Sequence, residues 1–319
     1  MVEPFKREKS MALQRPDIRL FVALLAGAAI PLGISADTAG AATAASVPDF
    51  VGIWTHPYWP GFDPPASGQG PIVNKVRAAS GIGDSDQLVG DYTSPILKPQ
   101  AAETVKRLGE ISKTGVTFPT PANQCWPQPV PYILWSIGVQ FLQQKDEVTI
   151  LYSNPDHEVR HVRMNKAHPA RVTPSWYGDS VGHYEGDTLV VDTVGVKTGR
   201  PYAMVDVYGT PYSESLHVVE RYRLVDEETA KAGEVRTRKE NLYIPVNDSG
   251  LVVDPAYQGK SLQLEFTVDD KGVFNVPWSA GMIYRRAAGA WPEFACSENR
   301  NEYYAKKESD VPHADKPDF

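Results

Sequence analysis

The chain is poor in the residues and runs that mark several common classes of protein. It has only two cysteines in 319 residues, too few for a disulfide scaffold or a cysteine-rich zinc module. No C-x-x-C or C-x-x-C-H string occurs, which removes thiol-redox and covalent-haem chemistry of those types. No glycine-rich loop leads into a helix. Gly68-Gln69-Gly70 runs straight into Pro71, so no dinucleotide or phosphate-loop fingerprint is present and no cofactor is expected. Positive charge is not in excess. With 32 Lys+Arg against 39 Asp+Glu the formal charge is −7, which argues against nucleic acid as the main partner. The chain has no internal repeat and no obvious linker.

What remains is a globular composition, 42% hydrophobic with a mean hydropathy of −0.34. The 25 glycines and 27 prolines are scattered along the chain, which favours many turns over long helices.

Residues 1–44 read as an export signal, leaving 45–319 as a single domain. Lys6, Arg7, Lys9, Arg15 and Arg19 form a basic region. Leu20 to Ile34 is apolar but only 15 residues long, short of the roughly 20 that span a membrane. Ala39-Gly40-Ala41 and Ala42-Thr43-Ala44 both suit a signal peptidase. The expectation is a protein of the periplasm or exterior with no stable span after cleavage; the alternative is a retained N-terminal anchor. In an oxidising compartment Cys125 and Cys296 can pair, the only intramolecular choice, or remain buried free thiols.

Prolines exclude a regular helix from His56 to Pro71, and its aromatics Tyr58, Trp59 and Phe62 either seal a barrel end or line a ligand mouth. A helix is predicted over Pro99 to Lys113, opening on proline with Ala102, Val105, Leu108 and Ile111 at a spacing of three. Strands are predicted at Val148 to Tyr152, Glu158 to Met164, Thr188 to Val194, Leu216 to Leu224, Leu262 to Val268 and Met282 to Arg285. A tight turn is expected over Tyr184 to Thr188. The fold class is therefore mainly β, an antiparallel meander closing into a barrel, with one N-terminal helix and irregular Pro/Gly-rich elaboration.

Several segments carry a resemblance: DFVGIWTHP at 49–57, the Cys125-Trp126-Pro127 neighbourhood, PSWYGDSVGHYEGDTLVVDTVG at 174–195, SESLHVVERYRL at 213–224, VPW at 276–278 and EFACSENRNEY at 293–303. Together they resemble a large family of exported bacterial proteins of uncharacterised function. The resemblance implies export and a barrel similar to the lipocalins and other calycins, and it implies no reaction. The chain departs from the family at Tyr184, where tryptophan is usual, and at Ser297, where histidine is usual. Ser297 puts in doubt any role for a family histidine beside Cys296.

Three constellations could carry chemistry. His157-Glu158-Val159-Arg160-His161 matches the zincin string H-E-x-x-H, which needs a helix to bring both histidines to one ion. The β-branched surroundings favour a strand, where residues four apart stand about 13 Å from each other, so no metal is expected. Such a strand, with Arg163, would line an anion-tolerant cavity or be a solvated charged strand. The block Trp176, Tyr177, Asp179, Ser180 and His183 sets a carboxylate and an imidazole near an aromatic platform. Gly178 to Gly182 also satisfies G-x-S-x-G, but a tight turn and a strand follow where a nucleophile elbow needs a helix. Its structural alternative has Gly178 and Gly182 shaping a turn, with Asp179 and Ser180 capping backbone amides. On Leu216 to Leu224, alternation turns His217 outward and Glu220 toward the core, where the carboxylate needs a cationic partner or a raised pKa.

The function expected is binding of a small apolar or aromatic molecule in the barrel, with Trp54, Tyr58, Trp59, Trp176, Tyr177, His183, His217 and Glu220 as candidate lining. The alternatives are a cofactor-independent lyase, isomerase or hydrolase using His183 or His217 with Asp179 or Glu220, and an envelope scaffold with a packed interior.

Overall fold

The computed structural model describes residues 47–153, 158–200, 202–244, 251–291, 293 and 296. The predicted signal, Ser297 and His157 lie outside the described residues. Twelve strands follow in chain order: β1 Ile53–Thr55, β2 Tyr58–Trp59, β3 Gly138–Gln143, β4 Glu147–Tyr152, β5 Val159–Met164, β6 Asp179–Glu185, β7 Thr188–Val194, β8 His217–Val225, β9 Leu242–Tyr243, β10 Val252–Val253, β11 Ser261–Asp269 and β12 Trp278–Ala288. Helix α1 spans Pro99–Lys113 and α2 spans Glu227–Glu240, and a 3-10 turn covers Tyr132–Trp135.

Nine strands close into a barrel in the order β1-β3-β4-β5-β6-β7-β8-β11-β12, with β12 returning to β1 through Trp54 opposite Arg286. β10 extends one end of β12, and β2 pairs with β9 as a separate two-stranded ladder. The predicted strands are present, several of them longer than expected. One feature departs from an antiparallel meander: β5 and β6 are parallel, with Val162 opposite Ser180. A tight turn cannot join parallel strands, which need a crossover of a dozen or more residues. The connection from Asn165 to Gly178 supplies it. Between β6 and β7 the expected tight turn is present, with Gly186 at φ +62.

Alternation fills the barrel. Phe141, Tyr152, Tyr222, Phe266, Trp278 and Tyr284 point inward and are buried, each contributing roughly 1.5–3 kcal/mol through burial. Edge-to-face contacts such as Phe141 to Tyr222 at 5.1 Å join them into one core. The interior is packed.

Helix α1 has the predicted bounds, but its buried face is Ala101, Val105, Gly109 and Ser112. A line of residues three apart drifts off one face of a 3.6-residue helix, and packing follows the spacing of four instead. Gly109 is bare because a Cβ there would come within 2.9 Å of Val89.

Helix α2 is an addition to the sequence expectation. Its buried residues are Ala230, Gly233 and Thr237, so it has no apolar stripe, and it lies on the outer side of β12 through small residues against Ile283. Asp226 caps it by accepting from the Thr229 amide at 2.8 Å. Glu227 and Glu228 begin it and Arg238 and Lys239 end it, as the helix dipole favours. Cys125 and Cys296 form a disulfide, with Cα atoms 5.5 Å apart. Among the described residues no helix is long and apolar enough to cross a membrane.

Candidate functional site

The two faces of β5 to β8 carry different chemistry. Inward, Arg160 and Glu220 meet in two parallel bonds, Nη1 to Oε2 at 3.0 Å and Nη2 to Oε1 at 2.9 Å. Both are fully buried. Arg160 also donates to Tyr152 Oη, Ser180 Oγ and Thr193 Oγ1, and the Tyr222 hydroxyl donates to Glu220 at 2.7 Å. Only Arg160 Nε lacks a partner. Burial opposes the charged guanidinium, but Glu220 outweighs it and the Arg160 pKa is raised. Tyr152 is pushed up to about 12, mainly by burial. Glu220 is thus a paired carboxylate, held by Arg160 and Tyr222.

Outward, Arg163 Nη2 holds both Asp179 oxygens, at 2.6 and 2.7 Å. His168 lies between two carboxylates, 2.8 Å from Asp179 and 3.1 Å from Asp192. His217 reaches the same Asp192 oxygen at 2.9 Å. Burial works against protonated His168, yet its bonds to Asp179 and Asp192 raise its pKa. Burial likewise raises Asp179, but His168 and Arg163 overcome it and its pKa is lowered.

The proposed catalytic residues are therefore dispersed. His217 and Glu220 occupy opposite faces, as alternation requires. His183 is exposed and pairs with Glu185 at 3.0 Å rather than with Asp179. Asp179 and Ser180 do not cap backbone amides: their side chains are taken by Arg163 and His168 outside and by Arg160 and Thr193 inside. G-x-S-x-G lies at the start of β6 with its serine buried, so the elbow geometry is absent. From Val159 the H-E-x-x-H string is strand, and His161 faces out to Glu147 at 2.8 Å, so the outer face of this strand is charged and solvated while Glu158 and Arg160 of the same string are buried.

Among the proposed lining aromatics, Trp59 borders a cavity of about 60 Å³. Trp54 is buried in the core and donates its indole N–H to the Phe50 carbonyl at 2.9 Å. Tyr58 is buried, its hydroxyl accepting from Arg238 at 3.2 Å. Trp176 packs against Trp126 and Arg200 beside a space of about 10 Å³, room for one water. Tyr177 is half-buried at the core edge.

Trp59 meets Trp135 edge-on at 4.8 Å. Together with Tyr132, Phe118, Leu88 and Val207 they line a cavity of about 60 Å³ outside the barrel, where the end of α1 approaches the 3-10 turn. The Trp135 indole N–H is shielded from solvent and has no partner among the described residues. Asn123 and Thr120, whose side chains bind local backbone, belong to the polar part of the wall together with Ser85, Asp86, Ser112 and Thr117. Trp135 and His168 were not singled out from sequence, because neither stands in a motif and both become significant only through non-local neighbours.

No protein-family model, curated protein or solved structure matches the chain.

Proposed function

We propose that this is an exported protein that binds a small apolar ring carrying one hydrogen-bond acceptor, in the aromatic cavity beside Trp59 and Trp135. The observation that carries the reading is the shielded, unpartnered Trp135 N–H in the wall of that cavity. A buried donor without a partner costs about 1–3 kcal/mol, and an acceptor on a ligand would recover it. The aromatic walls favour edge-to-face contact with a ring. At roughly 10–15 Å³ per water, the space of about 60 Å³ holds a few waters, and a ring, which takes a cavity of about 150 Å³, enters it only by displacing the wall. The disulfide suits an oxidising compartment, as does the resemblance to exported proteins.

The test is a titration with acetophenone and with ethylbenzene, the same ring without an acceptor. Acetophenone is expected to bind about 2- to 10-fold more tightly, and Trp135→Phe should abolish the difference. Equal affinities in the wild type, or no binding of either compound, would reject the reading.

A second reading, cofactor-independent proton-transfer catalysis, is favoured by His168 held between two carboxylates with His217 on the second of them. It would place the chemistry on the outer face of the barrel, and it predicts turnover lost in His217→Ala and retained in Trp135→Phe.

A further inference from the structure

A larger cavity, about 260 Å³, lies against the outer wall of the barrel, where β8, β11 and β12 meet α2 and the 63–67 loop. Its walls are polar, with Gln263, Thr267 and Ser279 beside four charged groups, Asp63, Arg221, Arg236 and Glu265. Three of those four are engaged elsewhere. Arg221 donates to Glu185 at 2.7 Å. Glu265 stands 3.8 Å from Arg223. Asp63 is fully buried and accepts from Thr237 at 2.5 Å and Asn241 at 3.1 Å. The ring of His56 lies beside Asp63, with Nε2 at 3.8 Å and Nδ1 held by the Ile283 carbonyl at 2.8 Å.

Arg236 is the exception. Its Nη1 donates to the Ala232 carbonyl at 3.1 Å, it forms no ion pair among the described residues, and its Nε is shielded with no partner. A guanidinium that borders a cavity with Nε unpaired, and with the Asp63 carboxylate as its electrostatic neighbour, can still take a planar carboxylate through the rest of its fork.

We propose that this cavity is a second binding site, for a small organic acid, with the ligand carboxylate on Arg236. Thr267 and Ser279, whose hydroxyls bond each other at 2.9 Å, are placed to meet hydroxyl or further carboxyl groups on the same molecule, while the Gln263 side chain is held by Arg223 at 2.7 Å. Asp63 borders the site with its oxygens held by Thr237 and Asn241, and it shares the Arg236 charge with any bound carboxylate. The space suits acids of the size of succinate or citrate. The inference does not depend on the aromatic cavity.

The test is calorimetric titration of the full chain at low ionic strength with succinate, citrate and inorganic phosphate, and with succinamide as the neutral comparator. Saturable binding of succinate or citrate in the millimolar range or tighter is expected, with succinamide failing to bind. Arg236→Gln should weaken it roughly tenfold to a hundredfold, Arg236→Lys should recover part of the loss, and Trp135→Phe should leave it unchanged. The proposal is overturned if neither acid binds, if succinamide binds as well as succinate, or if phosphate is preferred to both acids. Unchanged affinity in a folded Arg236→Gln would overturn it too. The wild-type comparison of succinate with succinamide decides the matter even if that variant fails to fold.

Discussion

The barrel interior and the irregular elaboration around α1 are both rich in aromatic side chains, and they use them in opposite ways. Inside, Tyr152 and Tyr222 turn their hydroxyls onto a closed ion pair, and Phe141, Phe266 and Tyr284 fill the remaining volume. Outside, Trp59 and Trp135 stand edge to face and leave a cavity with an indole N–H directed at no protein acceptor. The Trp278 N–H in the core is also unpartnered, but it is packed among Phe62, Phe266 and Phe274 and lines neither cavity. The difference lies in where the two regions leave space: the aromatic cavity and the polar one both lie outside the barrel. Here strand alternation is spent on a filled core, and space for small molecules remains where loops and helices lie against the outside.

The strongest way to break this comparison is to remove one partner of the interior pair. Arg160→Met leaves Glu220 buried and uncompensated and should cost about 3–5 kcal/mol in urea unfolding, with acetophenone affinity of the folded fraction unchanged. A loss under about 1 kcal/mol would mean that the pair is not the rigid centre described. Opening the disulfide by Cys296→Ser should cost about 2–5 kcal/mol, because a link between positions 171 apart restricts the unfolded chain strongly. Equal denaturation midpoints with and without the bridge would contradict that.

The smallest expected effect belongs to the outer face. His168 has a raised pKa, so its contribution to stability is complete below about 6.5 and is lost as pH rises through its folded value. Asp179 has a lowered pKa, so its contribution is present above about 4 and is lost as pH falls through its folded value. The network therefore stabilises most between those limits. Being partly solvated, it should be worth about 1 kcal/mol or less. The stability difference between wild type and His168→Asn should be larger at pH 5.5 than at pH 9. A difference that is constant, or that grows with pH, would show that His168 is not held by the two carboxylates.

Much of the fold was legible because its determinants are local. Pro99 and the apolar recurrence after it mark α1, and the β-branched runs mark β4, β7, β8 and β11. Helix α2 was hidden because it docks through Ala230, Gly233 and Thr237, which leave no hydrophobic stripe. Its signals were the Asp226 cap and the charges at its two ends. The parallel pairing of β5 with β6 depends on the path of a fourteen-residue connection, which no local pattern specifies. Alternation did assign His217 and Glu220 to opposite faces, and the need of a buried carboxylate for a cation anticipated a partner without naming Arg160. The rest of the candidate chemistry is non-local. His168 joins Asp179 and Asp192 across three segments, and Arg236 meets the outer faces of strands distant in sequence.

The most direct measurement is the indole N–H region of a nitrogen-15 proton spectrum, with Trp135 assigned by its loss in Trp135→Phe, recorded during titration with acetophenone. A saturable downfield shift of the Trp135 N–H is expected as it gains an acceptor, with no comparable shift from ethylbenzene. A Trp135 signal that stays fixed while acetophenone saturates the protein would contradict the assignment of the aromatic cavity as the binding site.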